Sequence, residues 1–306
     1  MQSEIDVKMM NNKNIGQLFT SQAINAVADG DFSLLHELAA TTLNPKFFPV
    51  KVSEIFDIAF KKLSHEYKSE YFFKNIIANE VFLKKHKKNE AVMLSEFRVG
   101  TNKADCVILN GLSTCYEIKT ELDNLKRLPE QLDSYTNLFD KVYVVAAKTH
   151  IEKIKLIIPE TVGIIELTEK NKLDEIKPAL VIDSEINPKL MISSMRIAEY
   201  KHMAEKISGM RIDLPNMDVY SFCLEIFENI DSQTLRKHFR DSLKIHRANN
   251  ISFINTLPRS LKSSAISFSI NQSRQRSLTK ILSSYIEKDD ICTSLYSEVN
   301  SSSLQR

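Results

Sequence analysis

The sequence predicts an α/β protein in which a mixed β-sheet is flanked by helices. Two observations carry this prediction: β-rich apolar runs lie between residues 92 and 167, and stretches with helical spacing of apolar residues alternate with them. A third observation concerns the regions before and after these runs. Helical periodicity without strand signals precedes this region and follows it from about residue 187, so we expect an N-terminal helical cover and a helical C-terminal region.

Composition and charge limit the classes of protein that the chain can form. Its 306 residues are 43% hydrophobic and 26% charged, which suits a globular core and argues against bulk disorder. Because the net charge is only +2, a nucleic-acid interface would have to come from local clusters of basic residues. Neither a signal-peptide core nor a run of 18 apolar residues is present, and the four cysteines lack zinc spacing, so we expect a cytoplasmic protein.

The first predicted domain, residues 1–65, is a helical segment behind a polar leader of residues 1–14. Apolar spacing predicts a helix over 15–28 that ends at Gly30, and a second over 32–43 that ends near Pro45. Ser53 can cap a third helix. A fourth helix over about 68–85 opens the second predicted domain, residues 66–185, and leads through the basic turn Lys84–Lys88 into the sheet.

The strands of this central domain bring charged residues together at one place. After a first strand over 92–99, Asp105 opens an apolar run that reaches Asn110-Gly111, a dipeptide that tolerates positive φ and favours a tight hairpin turn. The returning strand ends in Glu117-Ile118-Lys119. Because strand side chains alternate between faces, Glu117 and Lys119 share a face, and the hairpin places Asp105 beside them.

The rest of the central domain completes the alternation of helices and strands. Pro129 suits the first turn of a helix that runs to about Phe139, on which Gln131 and Tyr135 lie four residues apart and therefore on one face. An apolar run over 142–147 predicts a buried parallel strand, followed by a short helix over 151–157 and a strand over 162–167.

The third predicted domain, residues 186–306, is a helical region that is rich in arginine. Asp231 or Ser232 can cap a helix whose apolar stripe lies beside a basic stripe. We predict that this basic stripe contacts the DNA backbone; the alternative is an ordinary solvated cationic face. It consists of Arg236, Arg240, Lys244 and Arg247. A further helical segment is predicted over 263–284, and a disordered tail from Ser297.

Taken together, Asp105, the Glu117-Ile118-Lys119 run and the spacing of Gln131 and Tyr135 resemble the PD-(D/E)XK nuclease superfamily. The last two residues are similar to the QxxxY helix motif of its RecB-like branch, and Ala104, where many members have proline, is a departure. The whole chain also resembles a bacterial family of unassigned role within that superfamily. This resemblance implies a restriction-endonuclease-like fold and metal-dependent hydrolysis of phosphodiester bonds.

The resemblance also implies roles for individual residues. Asp105, Glu117 and the backbone carbonyl of Ile118 would hold Mg²⁺ or Mn²⁺, joined by a glutamate from the preceding helix, for which Glu70 is preferred over Glu80. Lys119 would orient the attacking water or stabilise charge on the phosphate. Gln131 and Tyr135 would position the lysine or the substrate phosphate; their alternative role is to buttress the helix against the sheet.

We therefore predict a metal-dependent nuclease acting on DNA, in host defence or in a mobile element, with RNA as the open alternative. Cleavage of both strands of a duplex would need two sites and hence a homodimer. The second interpretation is a non-catalytic nuclease-like module that binds nucleic acid or a partner protein. No glycine-rich phosphate-binding motif is present, so hydrolysis of nucleotides is not expected.

Overall fold

The computed structural model describes residues 15–42, 48–66, 68–86 and 90–290. Three predictions, the polar leader over 1–14, the basic pair Lys87-Lys88 and the tail from Ser297, lie outside this range. A six-stranded mixed sheet is flanked by helices, and the regions before and after it are helical, which confirms the predicted α/β fold class. None of the helices in the described ranges is both long and apolar enough to cross a membrane.

The elements are numbered in chain order. The helices are α1 Ser21–Asp29, α2 Ser33–Thr42, α3 Val52–Glu66, α4 Glu70–Ile77, α5 Leu128–Thr136, α6 Ile151–Ile157, α7 Pro188–Ser193, α8 Ile197–Ser208, α9 Asn216–Glu228, α10 Ser232–His246, α11 Ile251–Thr256, α12 Lys262–Ser267 and α13 Gln272–Leu282. The strands are β1 Val50–Lys51, β2 Val92–Val99, β3 Asn102–Leu109, β4 Ser113–Lys119, β5 Lys141–Ala147, β6 Gly163–Leu167, β7 Leu173–Lys177 and β8 Tyr285–Ile286.

The large sheet has the strand order β2-β3-β4-β5-β6-β7. Strands β2, β3 and β4 form an antiparallel meander, whereas β4, β5 and β6 pair in parallel, as the apolar run over 142–147 predicted. Strand β7, which joins the edge antiparallel to β6, was not predicted. Its sequence Leu173-Asp-Glu-Ile-Lys is mostly exposed, and an exposed edge strand lacks the apolar alternation that reveals a half-buried one.

The β3–β4 hairpin turns where the sequence predicted, and a side chain closes its loop. Leu109 pairs with Ser113, so the loop contains Leu112 as well as Asn110-Gly111. Neither residue adopts the positive φ that this dipeptide tolerates. The Asn110 side chain closes the turn instead, since its Oδ1 accepts a hydrogen bond of 2.8 Å from the Leu112 amide.

Helix α5 packs its apolar face into the core of the sheet. Pro129 lies in its first turn, as predicted, where the missing amide hydrogen has no consequence. Leu128, Leu132 and Tyr135 are fully buried and belong to one apolar cluster with residues of β3, β4 and β5. The face that carries Gln131 and Tyr135 is therefore held against the sheet.

The chain divides into two compact units at positions that differ from the predicted domains. The sheet unit spans Ile76–Asn250, and the terminal unit combines residues up to Asn75 with those from Ile251 onward. The sheet unit extends past the predicted boundary near residue 186, because Met191, Met203 and Phe239 lie in the same apolar cluster as the sheet. Helices α7 to α10 are thus part of the sheet unit and share its core.

The terminal unit joins the first and last helices of the described chain. Strands β1 and β8 pair antiparallel, and Arg274 on α13 forms an ion pair of 2.7 Å with Asp29 at the end of α1. The predicted helix over 263–284 is two helices, because Phe268, at the end of α12, has extended backbone angles.

Candidate active site on strand β4

The end of β4 gathers most of the residues that the sequence selected. The Lys119 ammonium donates hydrogen bonds of 2.7 Å to Glu117 Oε1 and of 3.0 Å to Gln131 Oε1. From the neighbouring strand, Asp105 Oδ2 accepts a hydrogen bond of 2.7 Å from the Ile118 amide. Two strands and one helix thus bring a carboxylate pair, an ammonium and an amide together.

This cluster lies almost entirely out of water. Glu117 is 2% exposed, and Lys119 and Gln131 are also buried. Burial raises the pKa of Glu117, and the adjacent Lys119 opposes that rise. Burial also raises the pKa of Tyr135 strongly, and the Glu117 charge adds to this effect, so the phenol stays protonated at neutral pH.

Two polar atoms of the cluster lack a hydrogen-bond partner among the described residues. They are Glu117 Oε2 and the Tyr135 hydroxyl, and both are buried. The two residues still interact electrostatically, since the Tyr135 side chain lowers the pKa of Glu117. A buried carboxylate oxygen without a donor is costly, and a water or a cation would remove that cost. The donor set of Asp105 and Glu117 is made of hard oxygens, the type that Mg²⁺ and Mn²⁺ prefer, so the residues present fit such an ion.

Glu96 on β2 is an acidic residue that the sequence interpretation left out of the site. It forms an ion pair of 2.9 Å with Lys103 of β3. Its flanking residues pair with those on either side of Asp105, and its carboxylate lies within 4.8 Å of the Asp105 carboxylate. Its φ of 55° is rare for a non-glycine residue. The antiparallel register, once known, would have identified this neighbour of Asp105.

The two glutamates considered on the preceding helix have local partners. Glu80 forms an i,i+4 ion pair of 3.0 Å with Lys84. Glu70 lies in the first turn of α4, belongs to the terminal unit and pairs with Lys74. A metal-binding role for Glu70 stays a prediction.

A histidine that sequence reasoning missed fixes the backbone immediately after Lys119. His150 Nε2 lies 2.9 Å from the Thr120 carbonyl oxygen, which can only accept, so the ring donates this hydrogen bond. The Asp123 carboxylate accepts from both the amide and the hydroxyl of Thr120, each at 2.7 Å. The loop that follows the catalytic candidate Lys119 is therefore held from two sides.

The predicted basic stripe of α10 is used largely inside the protein. Arg236 and Arg240 form ion pairs with Asp140, at 3.5 and 2.8 Å. Arg247 binds Glu199 through two hydrogen bonds of 2.6 and 2.7 Å and lies over the Phe97 ring. Lys244 lines a surface cavity. The predicted DNA contact of this stripe stays a prediction, but three of its four side chains already hold α10 in place.

The buried guanidinium of Arg236 connects α10 to the sheet. Its guanidinium donates to the carbonyl oxygens of Leu138 and Ser184 as well as to Asp140. Asp140 in turn accepts from the Ser113 amide at the start of β4. Sequence periodicity showed a basic stripe, and only the fold shows that it faces a buried carboxylate.

The fold and the residues at the end of β4 define a class of protein. It is an α/β protein whose mixed sheet carries two carboxylates on neighbouring strands and a lysine, which is bound by a glutamine from the next helix. The chain belongs to the family described as Bacteriophage P4 protein cII, whose sequence profile matches residues 63–272, a range that contains the whole cluster. Protein cII of Enterobacteria phage P4 is 32% identical over 94 residues, which are 30% of this chain and 36% of that protein. The match thus spans little more than a third of the relative. No solved structure is detectably similar to the chain.

Proposed function

We propose that this protein is a metal-dependent nuclease of the PD-(D/E)XK type that hydrolyses phosphodiester bonds of DNA. The observation that carries the proposal is the buried Lys119 ammonium, which lies between Glu117 and Gln131. The residue before it on β4, Ile118, donates its amide hydrogen to Asp105. Burying this set of charged groups at a strand end carries a desolvation cost, and such clusters are enriched at functional sites.

Asp105 and Glu117 are the proposed ligands of Mg²⁺ or Mn²⁺. When bound, such an ion supplies an activated water and neutralises charge on the phosphate. The orphaned Glu117 Oε2 supports this assignment, since a carboxylate oxygen with no donor is suited to a cation. The Ile118 carbonyl and Glu70 are proposed as further ligands on the resemblance alone.

Lys119 is the residue that acts directly on the reacting groups in this proposal. Glu117 and Gln131 hold two of its three donor hydrogens, which leaves one to bind an attacking water or a phosphate oxygen. Because its position is fixed before the substrate arrives, little reorganisation is required in the transition state. Gln131 is a positioning residue, and Tyr135 has its hydroxyl available for a hydrogen bond to substrate or water.

The phage relative supports the mobile-element setting, because the family is described by a protein of phage P4. Cleavage of both strands of a duplex needs two such sites, so we propose that the active form is a homodimer or works with a protein partner. A homodimer that cuts duplex DNA should show second-order dependence of linearisation on protein concentration below its dissociation constant.

A non-catalytic nuclease-like module is the second candidate, and one observation favours it. The direct 2.7 Å contact between the Lys119 ammonium and Glu117 neutralises the buried carboxylate without any metal ion. Such a pair would keep the fold stable in a protein that only binds nucleic acid or a partner protein.

The test is cleavage of plasmid, linear duplex, single-stranded DNA and RNA with Mg²⁺, Mn²⁺ or EDTA. Asp105→Asn and Lys119→Gln should abolish metal-dependent cleavage, and Tyr135→Phe should reduce it. Lys172→Gln is the matched control, because Lys172 is an exposed lysine directly before the edge strand β7. Cleavage that survives both Asp105→Asn and Lys119→Gln would refute the assignment of the site.

Calorimetric titration with Mn²⁺ separates the two candidate functions if the wild type does not cleave. Binding that is lost in Asp105→Asn would indicate a metal site that awaits its substrate or partner. No binding at all, together with retained binding of nucleic acid, would establish the non-catalytic module.

A further inference from the structure

A second group of potential metal ligands lies far along the chain from β4, between helices α8 and α10 of the sheet unit. The rings of His202 on α8 and His246 on α10 have centroids 5.1 Å apart. Both histidines hydrogen-bond to one residue, Ser242, and that shared partner determines which nitrogen of each ring carries the proton.

The hydrogen bonds assign the proton to Nδ1 in both rings. His246 Nδ1 lies 2.9 Å from the Ser242 carbonyl oxygen, which can only accept. The Ser242 hydroxyl donates its single hydrogen to the Glu199 carbonyl at 2.7 Å. It must therefore accept from His202 Nδ1, at 3.4 Å. In the neutral rings, both Nε2 lone pairs are left available.

This is the arrangement that metal-binding histidines show. Their second nitrogen almost always donates to a fixed oxygen, which holds the tautomer and the ring orientation. Two imidazoles that bind one tetrahedral Zn²⁺ through Zn–N bonds of about 2 Å have ring centres about 5 Å apart. The observed separation of 5.1 Å matches that spacing.

A cavity beside His202 leaves room for an ion with its waters. This cavity of about 400 Å³ is lined by His202, His238, Asp241, Lys206 and Lys244. His246 is exposed to solvent and follows Ile245, the last residue that lines the cavity. The two lysines repel any cation, so only a metal that forms strong bonds to imidazole nitrogen suits the pair.

We propose that His202 and His246 bind one divalent transition-metal ion, of the Zn²⁺, Ni²⁺ or Cu²⁺ type, with water completing its coordination. No three ligand atoms that include this pair lie within 4.8 Å of one another in the described part of the chain. His238 or Asp241 would have to move to supply a third protein ligand. A two-histidine site of this kind joins α8 to α10 and would stabilise their contact.

The test is a zinc titration of the full chain that carries Asp105→Asn, so that the proposed active site does not contribute. We expect one equivalent to bind in this background. His202→Ala and His246→Ala should each weaken binding at least tenfold, and Ser242→Ala, which removes one supporting oxygen, by about tenfold. His65→Ala is the matched control, since His65 is an exposed histidine of α3, and it should bind as the parent does.

Thermal unfolding gives a readout that does not depend on the stoichiometry. Zinc should raise the Tm of the Asp105→Asn parent and of His65→Ala, but not that of His246→Ala, whose exposed side chain is removed without disturbing the core. Zinc affinity and a Tm increase that are unchanged in both His202→Ala and His246→Ala would overturn the proposal. So would a parent protein that binds no zinc, nickel or copper.

Discussion

Removal of the Asp140 carboxylate should be among the most destabilising single changes in the sheet unit. Asp140 is 3% exposed and sits where β4, β5 and α10 meet. Its Oδ2 accepts from the Ser113 amide at 2.6 Å and from Arg240 at 2.8 Å, and its Oδ1 lies 3.5 Å from Arg236. The Ser113 hydroxyl is a fourth donor, at 2.8 Å from Oδ2, so Asp140→Ala removes the partner of four donors at once.

The expected loss in the free energy of unfolding follows from the donors that Asp140→Ala would leave without a partner. Removing one partner of a buried ion pair costs about 3–5 kcal/mol, because the remaining charge is uncompensated. Burial already lowers the pKa of Arg236, which shows that its guanidinium is held at a desolvation cost. The orphaned Ser113 amide adds about 1 kcal/mol or more, while the partly exposed Arg240 can turn toward water. We expect a loss of about 4 kcal/mol.

The assay is urea unfolding followed by far-UV circular dichroism, with hydrogen exchange at β4 and β5 as a local measure. Asp140→Asn, which keeps an acceptor but loses the charge, should fall between wild type and Asp140→Ala. Asp133→Ala is the control, since Asp133 is an exposed aspartate on α5, and it should change the free energy of unfolding by less than about 0.5 kcal/mol. If Asp140→Ala were as stable as this control, Arg236 and Arg240 would not depend on Asp140, and the structural account of the basic stripe would fail.

Two further predictions concern single positions. Gly163→Ala should cost about 1–3 kcal/mol or more, because its new methyl group would overlap the Tyr143 ring and lie 2.6 Å from the Ala179 backbone nitrogen. Gly111→Ala, which meets nothing within 4 Å, should be close to neutral in the same melts, and equal losses would contradict this packing argument. Asp231→Ala should lower the Tm at neutral pH, because Asp231 caps α10 through a 3.0 Å hydrogen bond from the Thr234 amide, which lowers the pKa of this carboxyl. A lowered folded-state pKa means that the stabilisation exists above the unfolded value of about 3.9 and is lost as the pH falls through the folded value. The Tm difference should therefore shrink in acid, and a constant difference from pH 7 to pH 2 would contradict the assignment to the ionised cap.

Much of the candidate site could be predicted because it depends on local rules. The alternation of side chains along β4 puts Glu117 and Lys119 on one face, and helical spacing puts Gln131 and Tyr135 on one face of α5. The hairpin then brings Asp105 alongside, and Asp105 does bind the Ile118 amide. Each of these relations spans fewer than about 20 residues, a range over which period and turn chemistry determine which side chains meet.

Other features could not be predicted because the residues that contact each other are distant in sequence. Glu96 lies beside Asp105 only through the register of β2 against β3, and the partner of Arg236 is 96 residues away. A basic stripe has the same pattern whether it faces water, DNA or a buried aspartate, since amphipathic periodicity shows which face is polar but not what that face meets. The exposed edge strand β7 was missed for a related reason, because its pairing with β6 supplies a stability that its own residues do not show.

By itself, the sequence determined the order and type of most elements, the central hairpin and the residues that meet at the end of β4. The tertiary structure alone decided that α7 to α10 belong to the sheet unit, that the arginines of α10 hold buried carboxylates, and that His202 and His246 share Ser242. The physical reason is that backbone periodicity and turns are properties of short segments. The partners of long, charged side chains depend on which surfaces the hydrophobic core brings together.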